Sequence, residues 1–441
     1  MERKKLFDIL RDQNYWFKEP MPTNYIIRED YVEEVNKSMD SRAIIVVKGP
    51  RRTGKTVLLD QIIRQLLKNK TDREQILYVN LEDYRFYKDY SLKLLEDILE
   101  VYLENINAGK KVYFIIDEIQ NINGFERFLR TKYDHQKNIK FIITGSNAKL
   151  LSKELGTLLT GRITMVEILP FSFSEFLLFH KIMLPENRNY FTLESEKTRI
   201  KQMFNRYLRF GAIPEFLLEK EPEHRLKEYF ENVLFRDVVE RFNIRNVKLI
   251  KELALYLATN SAKIYSVNQL SKILNASVNT VQSYLSDLSM AYLFFYVDKF
   301  SFSLKDQITS QSKVYSLDTG LINAVGFKFS EDKGRLLENL VYLELLREEK
   351  EVYYHRDPKM NRECDFIVKE GLKVAKAIQV TSSLDDKKTE EREIEGMIDA
   401  LKTYDLKEGF ILTEDEYGTR NYEEFEIKIR PMWFWLLNKE G

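Results

Sequence analysis

Short apolar runs alternate with stretches of helical periodicity through the first 170 residues. The runs are Ala43–Val47, Ile76–Asn80, Val112–Ile116, Ile139–Thr144 and Ile163–Ile168. Each is continuous rather than alternating, the pattern of a strand covered on both faces. Between the first two, Val57, Leu58, Leu59, Ile62, Ile63, Leu66 and Leu67 recur at helical spacing. Residues 91–106 place Leu92, Leu95, Ile98, Leu99 and Leu103 on one side of another helix. Strand and helix in alternation predict an open α/β fold with a parallel sheet. From about 170 the chain turns helical, with Phe171, Phe173, Phe176, Leu177 and Phe179 as packing aromatics and further helices over 224–242 and 247–259. Leu270, Ile273 and Leu274, a turn at Asn275-Ala276, then Val278, Val281, Tyr284, Leu285 and Leu288 read as a helix-turn-helix. Ala291–Val297 fits the hairpin of a winged variant. Beyond about 330 the pattern returns to α/β. A mostly buried helix spans Leu336–Leu346, strands cover 351–355, 363–368, 375–381 and 409–413, and a charged helix covers 389–404. The predicted division is 20–170, 171–240, 241–305 and 306–441.

The segment Gly49-Pro50-Arg51-Arg52-Thr53-Gly54-Lys55-Thr56 follows the first strand, precedes a helix and fits G-x-x-x-x-G-K-[ST]. Gly49 and Gly54 permit backbone angles and close approach that a side chain would block. Successive N–H groups then face a polyphosphate at the positive end of the helix dipole. Lys55 supplies a point charge for the β- and γ-phosphates, and Thr56 a hydroxyl for magnesium. ATP with Mg2+ is the expected ligand of residues 49–56. Thr53, Arg28 and the segment near Tyr25 are candidates for the base pocket.

The run Val112–Ile116 ends in Asp117-Glu118, the Walker B pattern. Asp117 is placed for the magnesium shell and Glu118 for orienting an attacking water. After the strand at 139–144, Ser146, with Asn147 second, is a candidate contact to the γ-phosphate or the water; either residue also suits a helix N-cap. Arg162 can touch the γ-phosphate of its own site, reach a neighbour's site as an arginine finger, or remain a surface arginine. Glu118, Lys55, Arg162 and Ser146 are therefore the catalytic candidates, and Thr56 and Asp117 the metal ligands.

Taken together, GPRRTGKT, FIIDEIQNI, FIITGSNAKLL, LLTGRI and LPFSFSEF resemble the prokaryotic AAA-type P-loop ATPases allied to the STAND class. RFGAIPEF at 209–216 resembles the glycine–proline segment that follows their core. The resemblance runs from about residue 20 to about 220. It implies the AAA strand order, with an extra strand between the loop strand and the Asp-Glu strand, and a winged-helix module after the core.

GRLLENLVYLEL, ECDFIV and AIQVTSS resemble the accessory domain fused to such ATPases, similar to restriction-endonuclease-like nucleases. That resemblance implies a metal site built from an acid on the first helix, an Asp on the second strand and Glu-x-Lys on the third. Glu338 and Asp365 match the first two, while Gln379 and Thr381 stand in place of the Glu and Lys. Gln379 brings no charge to a magnesium ion, and Thr381 no cation for a pentavalent phosphate. Asp385, Asp386, Lys387 and Lys388 either substitute in space or are solvated loop charges. These departures favour a degenerate binding or scaffold domain over a nuclease.

Lys plus Arg and Asp plus Glu number 69 each, so the net charge is zero and gives no global case for nucleic acid or membrane binding. The proposed recognition helix, Ser277–Leu288, has no Lys or Arg and carries Asp287, whereas DNA readers take affinity from cations at phosphates. DNA is left as a possible partner through a local patch; a structural module or a protein contact is the alternative. The one cysteine, Cys364, excludes an intrachain disulfide, suits a reducing cytoplasm and is expected to be a buried small residue. MERKKLFDIL lacks a signal-peptide core, and no run of roughly 18 apolar residues predicts a membrane span. Two functions compete. One is an ATP-hydrolysing, nucleotide-driven switch coupled to the C-terminal domains. The other is a nucleic-acid-binding module with a degenerate nuclease-like domain, in which ATP is a structural or regulatory ligand. A protein partner or a homo-oligomer is open under both.

Overall fold

The computed structural model describes residues 1–17, 25–107, 109–145, 159–185, 188–190, 194–327, 333–357, 359–360 and 362–438. The chain divides into two compact units, Met1–Leu169 and Pro170–Gly441. Among the described residues no helix is long and apolar enough to cross a membrane.

The first unit is built on five parallel strands: β1 (Ile44–Lys48), β2 (Ile76–Asn80), β3 (Val112–Asp117), β4 (Ile139–Gly145) and β5 (Ile163–Glu167), in the order β2-β3-β4-β1-β5. β4 is thus the strand inserted between the loop strand and the Asp-Glu strand. Alternate residues of each strand enter opposite cores. Ile44, Val46, Phe114, Ile116, Phe141 and Ile143 pack with helices α1 (Arg3–Gln13), α4 (Leu92–Asn105) and α5 (Phe125–His135). Ile45, Val47, Ile115, Ile142 and Val166 pack with α2 (Glu29–Lys37) and α3 (Lys55–Lys68). Covering both faces explains why the strands read as unbroken apolar runs.

The second unit opens with helices α6 (Phe173–Phe179), α7 (Lys197–Phe210) and α8 (Glu223–Val233), the last continuing as a π-helix over Leu234–Glu240. Ser172 and Glu175 form a reciprocal capping box on α6, and Phe173 and Phe176 are fully buried. Next come α9 (Val247–Thr259), β6 (Ile264–Tyr265), α10 (Val267–Ile273), α11 (Val278–Met290), β7 (Phe294–Asp298), α12 (Leu304–Thr309) and β8 (Ser312–Ser316). The three strands form an antiparallel sheet in the order β6-β8-β7. β8 lies beyond residue 305, so the boundary expected there cuts between two strands that are hydrogen-bonded to each other.

After α13 (Thr319–Val325) and α14 (Lys333–Arg347) the chain builds a mixed six-stranded sheet. Its strands are β9 (Glu351–Asp357), β10 (Arg362–Glu370), β11 (Lys373–Val380), β12 (Glu408–Thr413), β13 (Gly418–Tyr422) and β14 (Phe425–Pro431), in the order β13-β14-β12-β11-β10-β9. Helix α15 (Lys387–Tyr404) covers it with Ile394, Met397, Ala400 and Leu401. Residues past Thr413 add two strands and the buried helix α16 (Met432–Asn438) to the elements expected from sequence.

Gly211 ends α7 with φ of 72°, and a Cβ there would fall 1.7 Å from Asp318 Oδ1. Asp318 is 3% exposed. Its carboxylate accepts from Ala212 N at 2.7 Å and from Gly320 N at 2.8 Å, clamping the turn to the start of α13. Gly211→Ala meets both the left-handed backbone and this carboxylate. It should cost about 3 kcal/mol in urea denaturation; an unchanged midpoint would show that the clamp carries no strain.

Candidate nucleotide site

The loop 49–56 leaves the C-terminal end of β1, where ligands gather in open α/β sheets. Gly49 has φ of 150°, and a Cβ would lie 2.2 Å from the Ile168 carbonyl oxygen, so close passage beside the end of β5 demands glycine. Gly54 caps α3 in the left-handed region at φ 92°. Arg52 also adopts positive φ, at 64°. Thr53 is fully buried and donates its hydroxyl to Pro50 O at 2.9 Å. Lys55 Nζ, nearly buried, donates to Gly49 O at 3.1 Å and Pro50 O at 2.9 Å and lies 3.9 Å from Glu118 Oε1. The ammonium is therefore inside the loop's curl, facing the acid at the tip of β3.

Asp117 is fully buried. Its Oδ2 accepts from Thr56 Oγ1 at 2.7 Å and from Tyr78 OH at 3.2 Å, and its Oδ1 accepts from the Thr144 hydroxyl. Burial pushes the Asp117 carboxyl up, and the Thr144 and Thr56 hydrogen bonds oppose that. Glu118 has φ of 56°, in the left-handed region that β3 reaches as it turns away from the sheet. Its N–H donates to Thr144 Oγ1 at 2.9 Å, and its carboxylate accepts from the Gln120 side chain. One hydroxyl, Thr144, thus fixes both acids.

The structure brings together Lys55, Thr56, Asp117 and Glu118. Ser146 and Asn147 lie outside the described residues. Arg162 lies elsewhere: its carbonyl accepts from Ile44 N at 2.7 Å at the start of β1, and its guanidinium is 3.5 Å from Asp134 Oδ1. The loop leaves the other end of that five-residue strand, about 16 Å away at about 3.3 Å per residue. That span corrects the expectation of a γ-phosphate contact within its own site. Arg28 is 3% exposed. It donates to Thr53 O at 3.1 Å and Leu169 O at 3.0 Å, so Arg28 and Thr53 brace the loop from beneath rather than forming a base pocket. Tyr25 lies 5.6 Å from the Arg64 guanidinium. Thr144, Tyr78 and Gln120 were missed because their roles depend on which strand tips are neighbours. An apolar strand ending in threonine beside the Walker B strand was the available signal for Thr144.

A magnesium ion fits this donor set. The Thr56 hydroxyl and an Asp117 oxygen lie side by side at the helix start, and magnesium keeps several water and phosphate ligands alongside one or two carboxylates. In the second unit, Glu338 and Asp365 come together, and Gln379 lies beside Asp365 with its Oε1 accepting from Asp365 N at 3.0 Å. Thr381 donates to Ser383 O at 3.2 Å. Cys364 is fully buried and burial raises its thiol, so it stays protonated.

Fold and loop together define an AAA-type P-loop domain, and an AAA domain model matches residues 41–177. Two models described as domains of unknown function, DUF8612 and DUF4143, match residues 201–333 and 333–432. The chain belongs to the family of the uncharacterized protein MJ1544 of Methanocaldococcus jannaschii, to which it is 35% identical over 97% of this chain and 96% of that protein. An uncharacterized protein of Haemophilus influenzae is 32% identical over 73% of this chain and 79% of its own length. Among solved structures, the Aeropyrum pernix Orc1 protein in complex with DNA is similar with a TM-score of 0.32 and 12% identity, over 73% of this chain and 95% of that one. AMPPCP-bound DnaA from Aquifex aeolicus is similar with a TM-score of 0.29 and 16% identity, over 62% of this chain and 92% of that one.

Asp60, on α3, has its carboxyl pushed up to about 6 by burial and by the nearby Asp117. A carboxyl raised in the folded state holds its proton there after the unfolded chain has lost it. Stability therefore falls as pH rises from 3.8 to about 6 and stays reduced above. Asp60→Asn removes that part of the fall. Without nucleotide, it should gain about 1 kcal/mol at pH 7.5, discounted for the partly solvated carboxyl, and nothing near pH 3.5. Denaturation at the two pH values checks it; an equal gain at both would reject the electrostatic cause.

Proposed function

We propose that this protein binds ATP with Mg2+, hydrolyses it, and uses the nucleotide state as a switch acting on its C-terminal domains. The observation that carries this is the convergence of Thr56 and Asp117 at 2.7 Å with Lys55 and Glu118 at 3.9 Å. Thr56 and Asp117 would hold the magnesium ion, whose charge offsets that of the phosphates. Lys55 exchanges its two loop carbonyls for β- and γ-phosphate oxygens, while the loop N–H groups bind the rest of the polyphosphate. Glu118 orients the attacking water, and Thr144 and Gln120 keep its backbone and carboxylate aimed. Ser146 is assigned to the γ-phosphate, and Arg162 to the site of a second copy, as a STAND-allied AAA protein would use it.

The helix-turn-helix α10–α11 with the sheet β6-β8-β7 supports a winged-helix module. Exposed positions on α11 include Asn279, Gln282, Ser283 and Ser286, all uncharged. A helix without cations is a poor phosphate reader, which favours relay to the nuclease-like domain or a protein contact over DNA. The nucleic-acid reading rests on the same topology, with ATP as a regulatory ligand. Salt-sensitive mobility shifts of duplex DNA at micromolar protein would restore it.

Lys55→Ala should abolish the calorimetric heat of Mg-ATP binding. Glu118→Gln should keep that heat and lower turnover by about 100-fold or more. Wild-type turnover in Glu118→Gln would remove Glu118 from the chemistry, and no heat from the wild type would sink the whole reading.

A further inference from the structure

A nuclease-like domain of this outline would place a divalent ion between Glu338 and Asp365, but the residues present do not fit one. Lys313, from β8, puts Nζ 2.9 Å from Glu338 Oε1, 2.8 Å from Asp365 Oδ1 and 2.8 Å from Glu363 Oε1. Its side chain is 2% exposed. Further donors hold the Glu338 and Asp365 carboxylates. Tyr315 OH donates to Glu338 Oε1 at 2.7 Å, and Val380 N to Asp365 Oδ2 at 2.9 Å. Gln379 accepts from Asp365 N and donates to Glu393, which is also paired with Arg392. A divalent ion needs oxygens at roughly 2.0–2.6 Å, and the ammonium already stands at the point where the three carboxylates meet.

We infer that Lys313 is the resident cation of this site: a tethered ammonium takes the place of a metal, leaves the C-terminal sheet metal-free, and fastens β8 to it. The inference is independent of the nucleotide reading. Buried carboxylates without a counter-charge are strongly destabilising, whereas a hydrogen-bonded ammonium compensates them. Burial alone would strip the proton from Lys313, yet Asp365 and Glu338 hold its ammonium well above the usual lysine range. Burial and Asp365 raise the Glu338 carboxyl, which lowers the negative charge that the single ammonium must balance. The same junction is fixed by Asn339, on α14, whose Oδ1 accepts from Ser316 N at 2.8 Å and whose amide donates to Ser316 O at 3.0 Å. Tyr315 stacks on Tyr342 at 4.5 Å. Lys313 therefore sits within a built interface between β8 and α14. The competing reading makes Lys313 a displaced catalytic lysine, and that requires a metal beside it.

The test uses the full chain without nucleotide and Mn2+ as the probe. Wild-type protein should show the same Mn2+ uptake by electron paramagnetic resonance with or without Asp365→Asn. Lys313→Met should lower the thermal midpoint by about 10 °C, and adding Asp365→Asn to it should recover part of the loss. Lys313→Arg, which keeps the charge if Lys313→Met fails to fold, should remain blind to Mn2+ at Asp365. Asp365-dependent Mn2+ uptake by the wild type or Lys313→Arg overturns the inference. So does Mn2+-dependent plasmid cleavage that needs both Lys313 and Asp365, a wild-type midpoint in Lys313→Met, or no recovery in the double variant.

Discussion

The Asp117 carboxylate has no exposure to solvent at the tip of β3, and the first unit depends on how it is satisfied there. An unpaired carboxylate in such a place is untenable by several kcal/mol. Three hydroxyls answer it, from α3, β2 and β4, so the acid ties the phosphate loop to two strand tips at once. Hydroxyls satisfy the acid without cancelling its charge. The site keeps a net negative group beside the helix start, where a divalent ion would be held, and after burial it is the charge of Asp117 that helps raise the Asp60 carboxyl.

The second unit solves the same problem by other means. Asp318 is met by backbone N–H groups of a turn and a helix start, which fix geometry and leave no opening for a ligand. Asp365 and Glu338 are met by the Lys313 ammonium, which stands between them. Hydroxyls leave a carboxylate its charge, N–H groups make it a cap, and a lysine pairs with it. The chemistry of each acid follows from its partner more than from its own identity.

Glu118 shows how backbone conformation serves the same end. Its left-handed φ turns the chain off the sheet directly after Asp117, so consecutive residues point to different tasks. One carboxylate enters the hydroxyl cluster and the other faces Lys55. The Thr144 hydroxyl, donating to the Asp117 carboxylate and accepting from the Glu118 backbone N–H, makes the pair a single unit.

Residues 49–56 and Asp117-Glu118 were legible in the sequence because each is a contiguous pattern at the end of an apolar run, and local periodicity carries that information. The five strands of the first sheet were legible for the same reason. β13 was not: as an edge strand with alternating exposed and half-buried polar residues, it buries too little to mark itself. For Arg162 the sequence left open a contact in its own site, a neighbour's site or a surface role, and the parallel course of β1 and β5 sets it at the strand end opposite the loop. Glu338, Asp365 and Gln379 were singled out in the sequence only through a resemblance, and nothing near them in the chain announced Lys313. By itself the sequence determined which segments form strands, helices and a phosphate loop, since these depend on residues a few positions apart. Only the tertiary structure decided which side chain answers each buried charge, because strand order brings together groups that the chain separates by tens of residues.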